Sequence, residues 1–226
     1  MNTTEQRYQG DLGRSYHEVK RGLPAEAIPW VARLRAGKLA RWVPPAGVVF
    51  EYGVGSGWNL AALPCRRKLG YDVAGFLEAT VRAHGIEFVP DPKALADGLA
   101  DAALCHHTLE HVLAPQVALL EMRRLLRPDG RLVLFTPWER ERRYRTFHRH
   151  EPNHHLYTWN AQTLGALVEE CGFQVESAGV ERYGYDRFAA VWACRLRLGE
   201  GGFRWLRTAL VALRPLWETR VIAARV

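Results

Sequence analysis

The stretch "VFEYGVGSGWNL", residues 49–60, carries glycine at every second position from 53 to 57. An apolar run precedes these glycines and a segment that favours a helix follows them, so the stretch predicts a strand, a tight turn and a helix. Such a turn exposes backbone N–H groups at the helix N-terminus, and glycine lets a ligand approach the backbone closely. The stretch therefore predicts a site for a nucleotide-like ligand, although a sharp turn also needs glycine for structural reasons alone.

The spacing within the turn narrows the class of ligand. The dinucleotide-binding fingerprint GxGxxG requires glycine at its sixth position, where this chain has Trp58. Glu51 precedes the first glycine and gives the pattern ExGxGxG. A carboxylate at the end of a strand suits a cationic ligand with an amino group better than it suits a pyrophosphate.

Composition and charge indicate one reduced, soluble domain. The chain has 226 residues, of which 48% are hydrophobic, and its four cysteines form no CxxC pair. No secretion signal and no apolar run of membrane-spanning length is present, so a cytoplasmic location is expected. The formal charge of +7 comes mainly from arginine. The densest run, residues 139–150, is read either as a solvated loop or as an anion-facing patch.

The order of apolar segments predicts an α/β fold. Strands are predicted near residues 48–52, 72–77, 86–89, 101–106, 131–136 and 173–180, with a last strand within 218–226. Amphipathic helices are predicted at 59–69, 115–128 and 160–172, because apolar residues recur there three and four apart. This alternation is typical of a parallel sheet with helices on both faces. An N-terminal helical extension (1–45) precedes the main domain (46–226), and two apolar helices form an insertion at about 184–215.

Four segments in order resemble class I S-adenosylmethionine-dependent methyltransferases over residues 47 to 182. "VFEYGVGSGWNLAAL" resembles their first motif, and "DAALCHHTLEHV" is similar to their fourth-strand motif. "EMRRLLRPDGRLVLFTP" and "HLYTWNAQTLGALVEECGF" resemble the two segments that follow. The resemblance implies a Rossmann-like sheet of seven mostly parallel strands whose last strand is antiparallel. It also implies S-adenosylmethionine as the methyl donor and S-adenosylhomocysteine as the product.

The resemblance also implies cofactor-binding residues. It puts Glu51 near the methionine end of the cofactor and the three glycines, Gly53, Gly55 and Gly57, against it. For the ribose it implies an acidic residue at the end of the second strand. Leu77 stands where that residue is expected, so Glu78 is the candidate, with a helix-start carboxylate as the alternative.

Two further regions are cofactor-binding candidates. Asp91 is placed to receive the adenine amino group, with a helix cap before Pro92 as the alternative. Tyr16 and His17 lie in the N-terminal arm, a segment that often folds over the cofactor in related enzymes. Ordinary packing of that arm is the alternative for both residues.

Histidines supply the candidates for the catalytic base, because methyl transfer to a hydroxyl requires removal of a proton. His107 is the first candidate and His106 the second, since both follow a parallel strand where ligands bind. His155 is a third candidate, which would enter from the loop after the fifth strand. Pocket shaping without catalysis is the alternative for these residues. No metal is expected, because "HHTLEH" lacks the HExxH pattern.

The sequence therefore predicts a methyltransferase for a small or medium-sized acceptor. Oxygen is the expected methylated atom, with nitrogen and carbon left open. If the insertion covers the acceptor, an aromatic, lipid-linked or sugar-linked molecule fits its apolar, arginine-rimmed lining, whereas a homodimer interface is the alternative. An RNA or protein methyltransferase and an inactive cofactor-binding regulator are the competing functions. Nucleic acid is disfavoured because no RNA-binding module is present, and Trp58 weakens a dehydrogenase.

Overall fold

One mixed sheet organises the protein. The computed structural model describes residues 3–20, 22–138, 146–147 and 153–226. Within them the strands are β1 (Val48–Tyr52), β2 (Arg67–Tyr71), β3 (Glu87–Val89), β4 (Ala100–His106), β5 (Leu126–Pro137), β6 (Phe173–Tyr183) and β7 (Leu216–Arg225). Their order is β3-β2-β1-β4-β5-β7-β6. The first five strands pair in parallel, and β7 lies antiparallel between β5 and β6, as predicted.

Helices cover both faces of this sheet. The α-helices are α1 (Thr3–Tyr8), α2 (Gly10–Arg14), α3 (Ile28–Leu39), α4 (Trp58–Ala61), α5 (Glu78–Ala83), α6 (Pro115–Leu125), α7 (Ala161–Glu170), α8 (Asp186–Arg195) and α9 (Gly199–Leu213). Side chains alternate between faces along each strand, so Phe50 packs with α6 and α7, whereas its neighbour Val49 packs with α3. The predicted α/β fold class is therefore confirmed.

The segment after the glycine turn differs from the prediction. A long helix was expected at 59–69 and a strand at 72–77, but α4 ends at Ala61 and β2 occupies Arg67–Tyr71. Pro64 follows this short helix and disfavours its continuation. The charged start of β2 resembles a helix surface in sequence, yet Arg67 is exposed at the sheet and pairs with Glu87 on β3 at 2.8 Å. The helix was therefore predicted too long because the charged residues at the start of β2 were read as part of a helix surface.

Most other predicted elements occur within a few residues of their expected positions. The strand expected at 131–136 begins earlier, at Leu126, and the observed strand includes Asp129 in a left-handed conformation (φ 60°). The two helices expected in the insertion are α8 and α9, and they pack against α3 through Ala190, Phe203 and Trp30. Among the described residues, no helix combines the length and apolar character needed to cross a membrane. The arginine-rich run 139–150 lies outside the described residues except for 146–147.

Candidate active site

A cavity of about 400 Å³ opens where the parallel strands end. It is lined by segments that follow three neighbouring strands, namely 52–56 after β1, 71–73 after β2 and 106–108 after β4. Residues 111–114 and the start of α6 close one side. This is the edge at which open α/β sheets bind their ligands, because the loops that follow the strands diverge there.

The glycine turn forms one wall of the cavity. The N–H groups of Gly53 and Val54 both donate to the Tyr71 carbonyl at 2.8 Å, which ties the turn to the end of β2. A Cβ atom on Gly53 would lie 2.2 Å from Thr108 Oγ1, so this glycine lets two loops meet. Gly55 has φ 52°, and a Cβ there would approach only His17, at 4.0 Å. Gly55 is therefore the glycine whose missing side chain leaves space at the cavity.

Asp72 lines the cavity and was not predicted from the sequence. It follows β2 directly, and its carboxylate accepts hydrogen bonds from the N–H groups of Gly55 (2.8 Å) and Ala74 (2.9 Å). Glu78, the residue predicted for this role, lies on α5 outside the cavity lining and pairs with Arg82 at 2.8 Å. The misplaced strand explains the difference, because an acidic residue after a strand that ends at 71 is Asp72.

Glu51 lies immediately behind the cavity wall. Its side chain is fully buried, and Oε1 accepts a hydrogen bond from Asn59 Nδ2 at 2.5 Å. Oε2 has no hydrogen-bond partner among the described residues. Burial raises the pKa of Glu51 to about 8. A buried carboxylate oxygen beside the lining residues Gly53 and Asn59 fits a cationic group that arrives with a ligand.

His106 and His107 form the floor of the cavity at the end of β4. Their rings stack with centroids 4.5 Å apart. His107 has φ 53°, a left-handed conformation that is uncommon outside glycine, and its N–H donates to Phe135 O at 2.8 Å. Burial lowers the pKa of His106 well below its ordinary value, with the charges of Lys38 and His107 acting in the same direction. His106 is therefore a neutral imidazole at neutral pH.

Beneath these histidines lies a partly buried ion pair that was not predicted. Lys38 Nζ on α3 lies 2.5 Å from Glu218 Oε1 at the start of β7. Glu218 Oε2 lies 3.0 Å from His107 Nε2, and Lys38 Nζ lies 3.1 Å from His106 Nε2. Burial alone would raise the pKa of Glu218, but the hydrogen bond from His107 and the charge of Lys38 outweigh it, so this pKa lies below its ordinary value.

The N-terminal arm closes the cavity from above. Both predicted lid residues, Tyr16 and His17, line the cavity, as does Tyr8, which was not predicted. Their rings meet edge to face, with centroids 5.2 Å apart in each of the pairs Tyr8–Tyr16 and Tyr16–His17. Tyr8 Oη also lies 2.9 Å from His111 Nδ1. The arm is thus joined to the loop after β4.

Besides Glu51 and Glu78, the predicted residues Gly57, Asp91 and His155 are also outside the cavity lining. Asp91 caps the turn Pro92–Ala94 by accepting from Lys93 N at 3.0 Å, and it is outside the cavity lining. His155 is also outside the lining and packs against the ring of His111, with centroids 4.8 Å apart. The expected absence of metal stays a prediction. Two groups of potential ligand atoms lie close together among the described residues: His106, His107 and Glu218, and Glu110, His111 and His155.

The helical pair α8 and α9 does not reach the cavity. None of its residues belongs to the described cavity lining. Its inner side packs on α3, while Trp192 and Trp205 on the outer side are 40% and 68% exposed. Arg35, which lines the cavity, links the two regions through an ion pair with Asp186 at 3.6 Å.

The sheet order, the antiparallel β7 and the glycine turn at the cavity define a class I methyltransferase fold. A family model described as "Methyltransferase domain" matches residues 20–178, more than half of the chain. The chain therefore belongs to the S-adenosylmethionine-dependent methyltransferases, and the predicted enzyme class and cofactor are confirmed.

The chain is similar to one curated protein over part of its length and to solved methyltransferase structures over most of it. An uncharacterised protein in transposon TN4556 of Streptomyces fradiae is 36% identical over 104 residues, and the chain spans 27% of that relative's length. A possible histamine N-methyltransferase from Thermotoga maritima has TM-score 0.63 at 18% identity, with coverage of 94% of this chain and 97% of that one. Haemonchus contortus phosphoethanolamine N-methyltransferase 2, solved with S-adenosylmethionine, has TM-score 0.63 at 13% identity, with coverage of 100% and 60%.

A 4+2 cyclase is also similar, with TM-score 0.61 and 20% identity over 86% of this chain and 80% of that one. The same architecture therefore occurs in enzymes with different names and reactions. The fold alone does not specify the acceptor, which depends on the side chains of the site.

Proposed function

We propose that this protein transfers the methyl group of S-adenosylmethionine to a hydroxyl of a small or medium-sized acceptor. The observation that carries the proposal is one cavity bounded by the glycine turn on one side and by His106 and His107 on the other. The first side suits the methyl donor and the second suits an acceptor that must lose a proton.

The donor would be held by residues around the glycine turn. When bound, S-adenosylmethionine supplies an electrophilic methyl group. Backbone N–H groups near Gly55 and the carboxylate of Asp72 would contact the nucleoside part, with Asp72 at the ribose. Glu51 would face the ammonium group, because its Oε2 is buried without a hydrogen-bond partner among the described residues. Tyr16 and His17 would cover the donor as part of an N-terminal lid, residues 1–45, on the domain 46–226.

The acceptor side favours a partly apolar molecule. Val112, Leu113, Val117 and the aromatic ring of Tyr8 line the same cavity as the two histidines. Apolar and aromatic walls with a few polar groups are typical of small-molecule sites. An aromatic or lipid-linked hydroxyl compound fits this lining, and a sugar-linked one would use the histidines for its polar groups. We place this reaction in the cytoplasm, where the four unpaired cysteines stay reduced.

Methyl transfer is tested with purified protein, S-adenosylmethionine labelled in its methyl group, and fractionated cell extract. We expect label in a small organic fraction that resists mild base, as an ether does and a methyl ester does not. Asp72→Asn should lower this incorporation, and Asp97→Asn on an exposed loop serves as the matched control. Label recovered in RNA or protein would support a macromolecular acceptor, and no transfer despite cofactor binding would support a non-catalytic regulator.

A further inference from the structure

The partly buried ion pair between Lys38 and Glu218 lies directly under His106 and His107. Glu218 is fully buried, and the Lys38 ammonium also lies 3.6 Å from the centre of the buried Phe135 ring. Two charges that leave water pay a large desolvation penalty, which their mutual attraction only partly offsets. Lys38 contacts His106 and Glu218 contacts His107. These contacts suggest that the pair affects the chemistry of the histidines as well as packing.

The pair defines which ring nitrogen of each histidine carries a proton. An ionised carboxylate only accepts hydrogen bonds, so His107 Nε2, 3.0 Å from Glu218, carries a hydrogen. In the neutral ring, Nδ1 of His107 then holds the lone pair. An ammonium only donates, so His106 Nε2, 3.1 Å from Lys38, acts as the acceptor.

The position of Lys38 also bears on metal binding. His106, His107 and Glu218 bring three potential ligand atoms within 4.8 Å of one another. The Lys38 ammonium contacts two of these three residues, at 2.5 Å and 3.1 Å. Its positive charge therefore lies beside these three potential ligand groups and disfavours a metal ion among them.

We propose that Glu218, braced by Lys38, is a positioning residue that orients His107 as the base of the acceptor site. This inference rests on the proposed methyl transfer to a hydroxyl. The acceptor O–H bond breaks as its proton moves to His107 Nδ1, and the electron pair stays on oxygen. That oxygen forms the new bond to the methyl carbon while the carbon–sulfur bond breaks, leaving a neutral sulfide. The imidazolium that results is paired with Glu218.

The topology explains why these distant residues meet. Parallel strands bring the ends of β1, β2 and β4 to the cavity, whereas the antiparallel β7 brings its beginning there. Glu218 pairs in register with Pro137 at the end of β5, and it shares its face of the sheet with Ile222, which packs in the α3 layer. Lys38 reaches the same place from α3.

Removal of the carboxylate tests the proposal without a known acceptor. Histidines are labelled with ¹⁵N in the full chain, and the His107 signals are assigned by comparison with His107→Gln. We expect the wild-type spectrum to show hydrogen on Nε2. In Glu218→Gln, the titration midpoint of this ring should move down by about one pH unit, because the carboxylate that stabilises the imidazolium is lost. Binding of S-adenosylhomocysteine should change less than threefold.

Several polar groups near the pair must be held constant in this comparison. They are Arg35 on α3, His106 on β4, and Glu181 and Tyr183 on β6. Glu218→Gln leaves the Lys38 charge buried without its partner, which threatens folding. The control is therefore Lys38→Met combined with Glu218→Gln, which removes both charges. It should regain thermal stability without regaining the wild-type rate of methyl transfer.

The rate is measured with the extract fraction that accepts label from the wild-type protein. We expect both variants that lack the Glu218 charge to transfer methyl groups about 10- to 100-fold more slowly, part of the usual contribution of a general base. An unchanged His107 titration in folded Glu218→Gln, or an unchanged rate in the double variant, overturns the positioning role. Failure of the proposed function gives a different result, since no fraction would then accept label from the wild type.

Discussion

At the scale of one residue, Glu51 is the first residue of the ExGxGxG motif and has an unusual protonation state. It ends a buried strand with a carboxyl group, although burial disfavours the charged form and raises its pKa to about 8. The free protein therefore holds Glu51 mostly protonated at pH 7. A ligand ammonium beside it would favour the ionised form, so binding should release the proton.

This proton release can be measured by calorimetry. Titration of S-adenosylhomocysteine at pH 7 in phosphate and in Tris should give different heats, because Tris takes up the released proton with a much larger enthalpy. The affinity for S-adenosylhomocysteine should rise with pH up to about 8 and then level off. Above this pH, Glu51 is already ionised in most free protein molecules, so binding no longer has to remove its proton. Glu51→Gln should abolish the buffer difference and weaken binding by about 1.5–3 kcal/mol, the range for a charge-assisted hydrogen bond. Equal buffer dependence in both proteins would remove Glu51 from the cofactor site.

Single residues also show where prediction from sequence succeeds and where it fails. Gly53 and Gly55 could be placed at the cavity, and Glu51 beside it, because their local spacing carries the signal; their contact with the cofactor stays a prediction. Asp72 was not predicted because the second strand was expected to end at residue 77 and ends at Tyr71. This difference of a few residues changes the acidic residue that follows the strand from Glu78 to Asp72. Lys38 and Glu218 could not be paired from sequence, because they are far apart in the chain and meet only through the antiparallel β7.

At the scale of elements, α8 and α9 occur where the helical insertion was predicted, but they do not line the described cavity. Their inner residues pack on α3, and their outer face leaves Phe188 (52%), Trp192 (40%) and Trp205 (68%) exposed. Exposed apolar clusters of this kind mark association surfaces more often than monomer surfaces. Because no residue of the pair lines the described cavity, we propose that this face is an association surface and not a direct acceptor cover.

Substitution of the two tryptophans separates these roles. We expect Trp192→Ala and Trp205→Ala to lower the solution mass measured by sedimentation, while S-adenosylhomocysteine affinity stays within twofold of the wild type. Leu120→Ala on α6, where the side chain is 51% exposed, is the matched control and should leave the mass unchanged. Loss of methyl transfer at constant mass would support an acceptor cover instead. If mass, affinity and methyl transfer are all unchanged, this face has no role in association or in covering the acceptor.

At the scale of the whole molecule, the fold was more predictable than the site. Alternating strands and helices, together with a resemblance spread over four segments, specify a sheet that the structure reproduces in strand number and in the direction of β7. Such patterns repeat along the chain, so one misplaced strand does not change the architecture. The site depends instead on single contacts between loops, such as Tyr8 with His111, which no local pattern encodes.

Binding of the methyl donor at the glycine turn is the central claim for the whole molecule. Titration of S-adenosylhomocysteine and of NAD into wild-type protein, Gly55→Val and Gly199→Val tests it directly. Gly199 has a similar positive φ, 62°, and is remote from the cavity lining, so its variant controls for backbone strain. We predict that the wild type and Gly199→Val bind S-adenosylhomocysteine and not NAD, and that folded Gly55→Val binds it at least tenfold more weakly. Binding of NAD without S-adenosylhomocysteine, or equal affinity in Gly55→Val, would contradict this claim.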